Sequence, residues 1–142
     1  MQIGVFNGVN LGMLGERNPE IYGGISYDEL EARIYAWAAE LGCSARCKQT
    51  NHEGELVENL HEARSWAEGI VINPGAWTHY SYAIHDALEL FDVPIVEVHL
   101  SDITRREEWR RHSVIEAVAS HRVMGEGPDG YRRALTILTG TE

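Results

Sequence analysis

Short apolar runs alternate along this chain with polar stretches in which apolar side chains return every three or four residues. The runs at Ile3 to Phe6, Cys43 to Gln49, Gly69 to Ile72 and Pro94 to Val98 have the length of strands, and Ser120 to Met124 offers a weaker fifth. Ser26 followed by Glu29 forms a capping box that opens a helix through about Leu41, with Leu30, Ile34, Ala38 and Leu41 on one face. A second helix is expected from about Gly54 to Trp66, with Leu56, Leu60 and Ala63 inward. A third starts near Ser81 and carries Ile84, Ala87, Leu88 and Phe91, and the last runs from about Pro128 to Leu138 behind Gly125 and Gly127.

Strand and helix thus alternate from end to end, which argues for an α/β domain: a flavodoxin-like, doubly wound, five-stranded parallel sheet in three αβα layers. In such a sheet ligands bind at the carboxyl ends of the strands. At 142 residues the chain suits one domain that needs neither metal nor disulfide to build its core. Acidic residues outnumber basic ones 22 to 12, a net charge of −10, which argues against nucleic-acid or anionic-membrane partners. Any anion it binds must therefore meet a local group of donors. No apolar run is long enough for a bilayer, and Met1-Gln-Ile-Gly-Val-Phe lacks the basic lead of a signal peptide, so a cytoplasmic protein is expected. Cys43 and Cys47, four residues apart near one strand, read as reduced thiols too far apart for easy bridging.

Candidate chemistry starts in the long glycine-punctuated loop after the first strand, where simple α/β folds have a tight turn; long loops are usually functional. Within it Arg17 stands five residues before Tyr22, and a guanidinium beside a phenol favours the phenolate, which suits a base. After the third strand, Asn73 and His79 flank an expected helix start where free N–H groups favour anions, although turn and cap duties account equally for Asn73 and Ser81. Alternation at the end of the fourth strand puts Glu97 and His99 on one face, so the carboxylate can orient and charge the imidazole for general-acid work; a purely structural hydrogen bond is the other reading. Thr104 to His112 reads mostly as a solvated helical face, with Arg110 assigned to the site because it lies one turn beyond Arg106 and can fork onto vicinal hydroxyls. Gln49 to Glu55 is polar enough for a site and is explained as well by a helix cap. None of the seven histidines has HExxH-like spacing, and no GxGxxG or GxxxxGK[ST] loop is present, so neither metal nor nucleotide cofactor is expected.

Together these segments resemble one family, the type II 3-dehydroquinate dehydratases of the shikimate and quinate pathways. The resemblance rests on Asn7-Gly8, Asn10-Leu11 and Leu14-Gly15, on Arg17 with Pro19 to Gly23, on Gln49 with Asn51 to Leu56, on Ile72 to Ala76 with Thr78-His79, on Val96 to Ser101, and on Arg106 to Glu108, Arg110 and His112-Ser113. It implies a cofactor-free anti elimination of water from 3-dehydroquinate through an enolate. Tyr22 would be the base kept deprotonated by Arg17, and Asn10 would steady the enolate oxygen through a held water. His99, oriented by Glu97, would protonate the leaving hydroxyl. The backbone at Leu100 and Ser101 would receive the carboxylate, with Asn73, His79 and Arg110 holding the carboxylate and ring hydroxyls. Asp86 would reach a neighbouring subunit's site in a homododecamer built from trimers. The only lysine, Lys48, lies away from these motifs, so no Schiff base is implied. The loop at about 12–24 would be a mobile lid.

The chain departs from that family at Val9, His85, Asp102 and Thr104 and at His121-Arg122, where an apolar strand is usual. Asp102 is expected to repel a bound carboxylate. Beside the dehydratase reading stand a divergent member acting on another cyclic hydroxy-acid and a non-catalytic flavodoxin-like binding protein.

Overall fold

A computed structural model describes residues 1–141. Five strands, β1 (Gln2–Asn7), β2 (Ser44–Gln49), β3 (Gly69–Asn73), β4 (Ile95–His99) and β5 (His121–Met124), pair in parallel in the order β2-β1-β3-β4-β5. The helices are α1 (Pro19–Tyr22), α2 (Tyr27–Glu40), α3 (Glu53–Ala63), α4 (Tyr82–Glu89) and α5 (Asp129–Thr139). Because successive strand side chains point to opposite faces, the sheet has two separate cores. Ile3, Val5, Val71, Val96 and Val98 pack with Leu30 and Ile34 of α2 and Leu135 of α5. Phe6, Ile70, Ile72 and Ile95 pack with Leu56 and Leu60 of α3 and Ile84 and Leu88 of α4. Each such fully buried aliphatic side chain contributes roughly 1.5–3 kcal/mol by leaving water.

The expected strands and long helices are present, with edges moved by one to three residues. The capping box opens α2 as expected, Ser26 Oγ accepting from the Glu29 N–H at 3.1 Å. Helix α3 stops at Ala63 rather than Trp66, and α4 stops at Glu89, short of Phe91. The segment read as one helical face over 104–112 is not a helix. It forms two single 3-10 turns, Ile103–Arg105 and Glu108–Arg110, separated at Arg106 by extended backbone (φ −98°, ψ −171°). A run of charges lacks the apolar stripe that would hold a short helix to a core, and Asp102 offers its carboxylate to the Thr104 N–H instead.

Strand order reverses between β1 and β3, whose tips Asn7 and Asn73 are direct register partners. The crevice at that switch point opens at the carboxyl ends of β1, β3 and β4. Among the described residues no helix is long and apolar enough to cross a membrane.

Candidate active site

The loop leaving β1 is built rather than slack. Asn10 takes a left-handed conformation (φ 67°), unique among the described non-glycine residues, and asparagine tolerates it better than most. Its N–H is held by Asn51 Oδ1 at 3.0 Å, while Gln49 Nε2 donates to Gly8 O and to Asn51 Oδ1. The 49–51 segment, which the sequence leaves between site and cap, is therefore the strut under Asn10. A 3-10 turn over Leu11–Glu16 follows, and then Asn18 caps α1 by accepting from the Glu20 N–H. Gly23 ends α1 at φ 95°, and a Cβ there would lie 2.6 Å from Pro128 Cδ, so only glycine lets the loop close down on that ring.

This folding turns Tyr22 inward toward two guanidinium groups. Arg17 Nη2 donates to the Tyr22 oxygen at 2.5 Å with its Cζ 3.9 Å from the ring centroid, as the sequence predicts. Arg106 Nη1 donates to the same oxygen at 3.2 Å and to Ser101 Oγ at 3.1 Å. Guanidinium groups have no acceptor, so the phenolic oxygen accepts from both. Sequence reasoning missed Arg106: it is 84 residues from Tyr22, and only the extended break at its own backbone aims it at the loop.

Across the crevice, His99 is nearly buried, and its Nε2 lies 2.5 Å from Glu97 Oε2. A carboxylate only accepts, so Nε2 carries the hydrogen and Nδ1 is the atom free to exchange a proton. Glu97 is fully buried and takes a second hydrogen bond, 3.1 Å from Thr78 Oγ1, which itself lies 3.1 Å from Ser113 Oγ. Burial pushes the Glu97 carboxyl up, but the hydrogen bond and charge of His99, then Ser113 and Arg122, outweigh it and hold it below the ordinary carboxylate range.

The floor is a phenol bridge. Tyr131 of α5 donates to Asn7 Oδ1 at 2.6 Å and accepts from Asn73 Nδ2 at 3.0 Å, while Asn73 Oδ1 accepts the Gly75 N–H. Burial drives the Tyr131 phenol far up, so it stays neutral and able to donate. Asn73 thus performs the turn duty the sequence allows for and still faces the crevice; Ser81 serves only as the cap of α4, accepting from Ile84 N–H. His79 points its Nδ1 at His112 O at 2.7 Å and meets Trp109 edge-on at 5.3 Å. Burial lowers its basicity, which leaves a neutral ring with Nε2 as an acceptor for a hydroxyl. Arg110 lies over Trp109, 4.1 Å from the ring centroid, and is braced by Glu107 at 3.0 Å.

Asn10, Arg17, Tyr22, Asn73, His79, His99, Leu100, Ser101, Arg106 and Arg110 all line one cavity of about 190 Å³. Glu97 stands behind His99 rather than at the wall, and Asp86 lies on the exposed side of α4, outside this chain's cavity. Asp102 is not part of the cavity lining: its carboxylate is committed to Thr104 and lies 3.5 Å from Arg105, which turns the charge away from where it was expected to act. Both cysteines are free thiols, and burial pushes Cys47 up to about 12. Among the described residues the grouping with metal-like spacing is His85, Asp86 and Glu89, but both ring nitrogens of His85 already face acceptors, Val114 O and Glu89 Oε1.

Residues 1–139 match the family model described as dehydroquinase class II. The chain belongs to that family. A 3-dehydroquinate dehydratase of Pelotomaculum thermopropionicum is 48% identical over 99% of this chain and 100% of its own length. The crystal structure of the type II dehydroquinase from Butyrivibrio crossotus superposes with a TM-score of 0.94 at 43% identity, covering 97% of each chain. A 3-dehydroquinate dehydratase-like protein from Bifidobacterium longum is more distant, with a TM-score of 0.75 at 31% identity over 99% of this chain and 97% of that one. The class II dehydroquinase fold is thus this chain's fold, flavodoxin-like and wound on both sides of one parallel sheet.

Proposed function

We propose that this chain is a 3-dehydroquinate dehydratase that works without a cofactor in the cytoplasm. The observation that carries the reading is one cavity with a doubly guanidinium-held phenol on one wall and a carboxylate-backed imidazole on another. Tyr22, as phenolate, takes the proton next to the ketone. Arg17 and Arg106 stabilise the negative oxygen, and the enolate that forms needs a fixed donor, supplied by a water held at Asn10. His99 then gives its proton from Nδ1 to the departing hydroxyl, which leaves as water. Base and acid on opposite sides of the ring give anti stereochemistry. His79 and Arg110 hold ring hydroxyls, and Asn73 with the backbone at Leu100 and Ser101 takes the carboxylate. The loop at 12–24 opens to admit substrate and closes to exclude water. In the same reading Asp86, on the outer side of α4, belongs to contacts between subunits of a trimer-based dodecamer, which sedimentation analysis tests.

Mixing the protein with 3-dehydroquinate and following the ultraviolet absorbance of the conjugated product tests the reaction. Turnover is expected, with a loss of roughly 10²–10⁴-fold in kcat for Tyr22→Phe, which keeps the ring and loses the base. Equal rates in both proteins would reject Tyr22, and no turnover in either would reject the activity.

A further inference from the structure

We infer that Arg122 is a positioning residue for the acid pair: from behind the site it holds the second carboxylate oxygen of Glu97, so that Glu97 stays an anion while His99 gains and loses its proton. The inference rests on the reading of His99 as the acid.

The two oxygens of Glu97 live in different surroundings. Oε2 is committed to His99 and Thr78. Oε1 is buried, finds no hydrogen-bond partner among the described residues, and lies 3.3 Å from Arg122 Nε. Arg122 Nε and Nη2 are likewise buried without hydrogen-bond partners, so the contact is one of charge rather than of aligned N–H···O geometry. The outer end of the guanidinium is fixed by Glu116, 3.2 Å from Nη1. Backbone register makes this arrangement obligatory, because Glu97 and Arg122 are direct partners on β4 and β5, and alternation sends both to the same face.

The consequence appears when the charges are followed through a turnover. With His99 protonated, the imidazolium neutralises Glu97. Once Nδ1 has released its proton to the leaving group, the imidazole is neutral and Glu97 would be a lone buried anion, a costly state. It would then favour taking up a proton of its own, and a protonated carboxyl donates to Nε2, which leaves the ring hydrogen on Nδ1 and spoils the tautomer that the next cycle needs. A permanent cation on the far side removes that cost, because arginine does not deprotonate. The other charged groups around the pair cannot substitute. His79 and Arg110 stand on the cavity side, and Glu116 and Asp102 have the wrong sign.

The test uses Arg122→Val, Arg122→Gln and Arg122→Lys in the full-length protein, with two readouts. In protein labelled with ¹³C-carboxyl glutamate, the Glu97 signal, assigned by its loss in Glu97→Gln, reports directly when that carboxyl takes a proton. Removing the cation is expected to move this event up by about one pH unit or more in the Val and Gln variants, with Lys restoring most of the difference. In kinetics, kcat at neutral pH is expected to fall about tenfold with KM within about twofold, and the acid limb of the kcat profile to move up in step with the carboxyl signal. Should Arg122→Val fail to fold, the Gln and Lys variants decide the matter. A carboxyl signal and acid limb unmoved in Arg122→Gln, or a lysine variant no better than glutamine, would overturn the inference. Absence of turnover in the unmodified protein would instead strike at the proposed activity, and the carboxyl signal would still judge Arg122.

Discussion

Two histidine–carboxylate pairs stand in this molecule and have opposite fates. His85 and Glu89 meet at 2.9 Å one turn apart on the outer face of α4, and the other ring nitrogen of His85 lies 2.7 Å from Val114 O. Both nitrogens face acceptors, so the ring is satisfied only as a cation; the Val114 carbonyl first and Glu89 second raise its affinity for the proton. His99 and Glu97 meet at 2.5 Å in the interior, with Nδ1 left facing the cavity. Pairing saturates the first imidazole and leaves the second half-used. A histidine beside a carboxylate therefore marks chemistry only when one ring nitrogen remains to be spent on a ligand.

That contrast is broken most severely by alanine substitution at the two histidines. His99→Ala is expected to lower kcat by roughly 10²–10⁴-fold, whereas His85→Ala leaves it within about twofold; comparable losses would erase the distinction. Next in size, Glu97→Gln costs about 10–100-fold in kcat, since the amide keeps the shape but cannot balance an imidazolium, while Glu89→Gln costs nothing measurable in steady-state assays.

A smaller effect separates the pairs by pH. His85 has a raised folded value, so its contribution to stability is complete below the usual 6.5 and disappears as pH climbs through that raised value. Glu97 is depressed, so its contribution is complete above the usual 4.5 and is lost as pH falls through the lowered value. The melting-temperature gap between the unmodified protein and His85→Ala should accordingly shrink between pH 5.5 and 8.5. It corresponds to no more than about 0.5 kcal/mol, because Glu89 is exposed and water screens the pair. A gap that widens with pH would reverse the assignment of His85 as a cation.

How far the sequence discloses these features depends on their range. The strands and long helices are written in local periodicity, and Arg17 with Tyr22, or Glu97 with His99, are near enough in the chain for spacing alone to pair them. Arg106 and Arg122 are different. The first reaches Tyr22 only because the backbone breaks its helical run, and the second reaches Glu97 only because β5 lies beside β4. Strand order is not a local signal, so Arg122 reads as an intrusion in an apolar strand; the missing apolar stripe of 104–112 is local, and only giving its charge spacing more weight makes that segment read as a helix. Asp102 shows the reverse error, since a local cap bond withdraws a charge that position alone would set against the ligand.

The phenol bridge at the cavity floor carries a consequence for biosynthesis of the chain. Asn7 leaves the ribosome 124 residues ahead of Tyr131, yet that tyrosine is what latches its side chain to Asn73. All five strands precede α5 in the chain, but the ligand floor is finished only when α5 docks. A chain stopped before that tyrosine lacks both the latch and the helix that covers Val71, Val96 and Val98, so its cavity floor and one of its two cores are left open together.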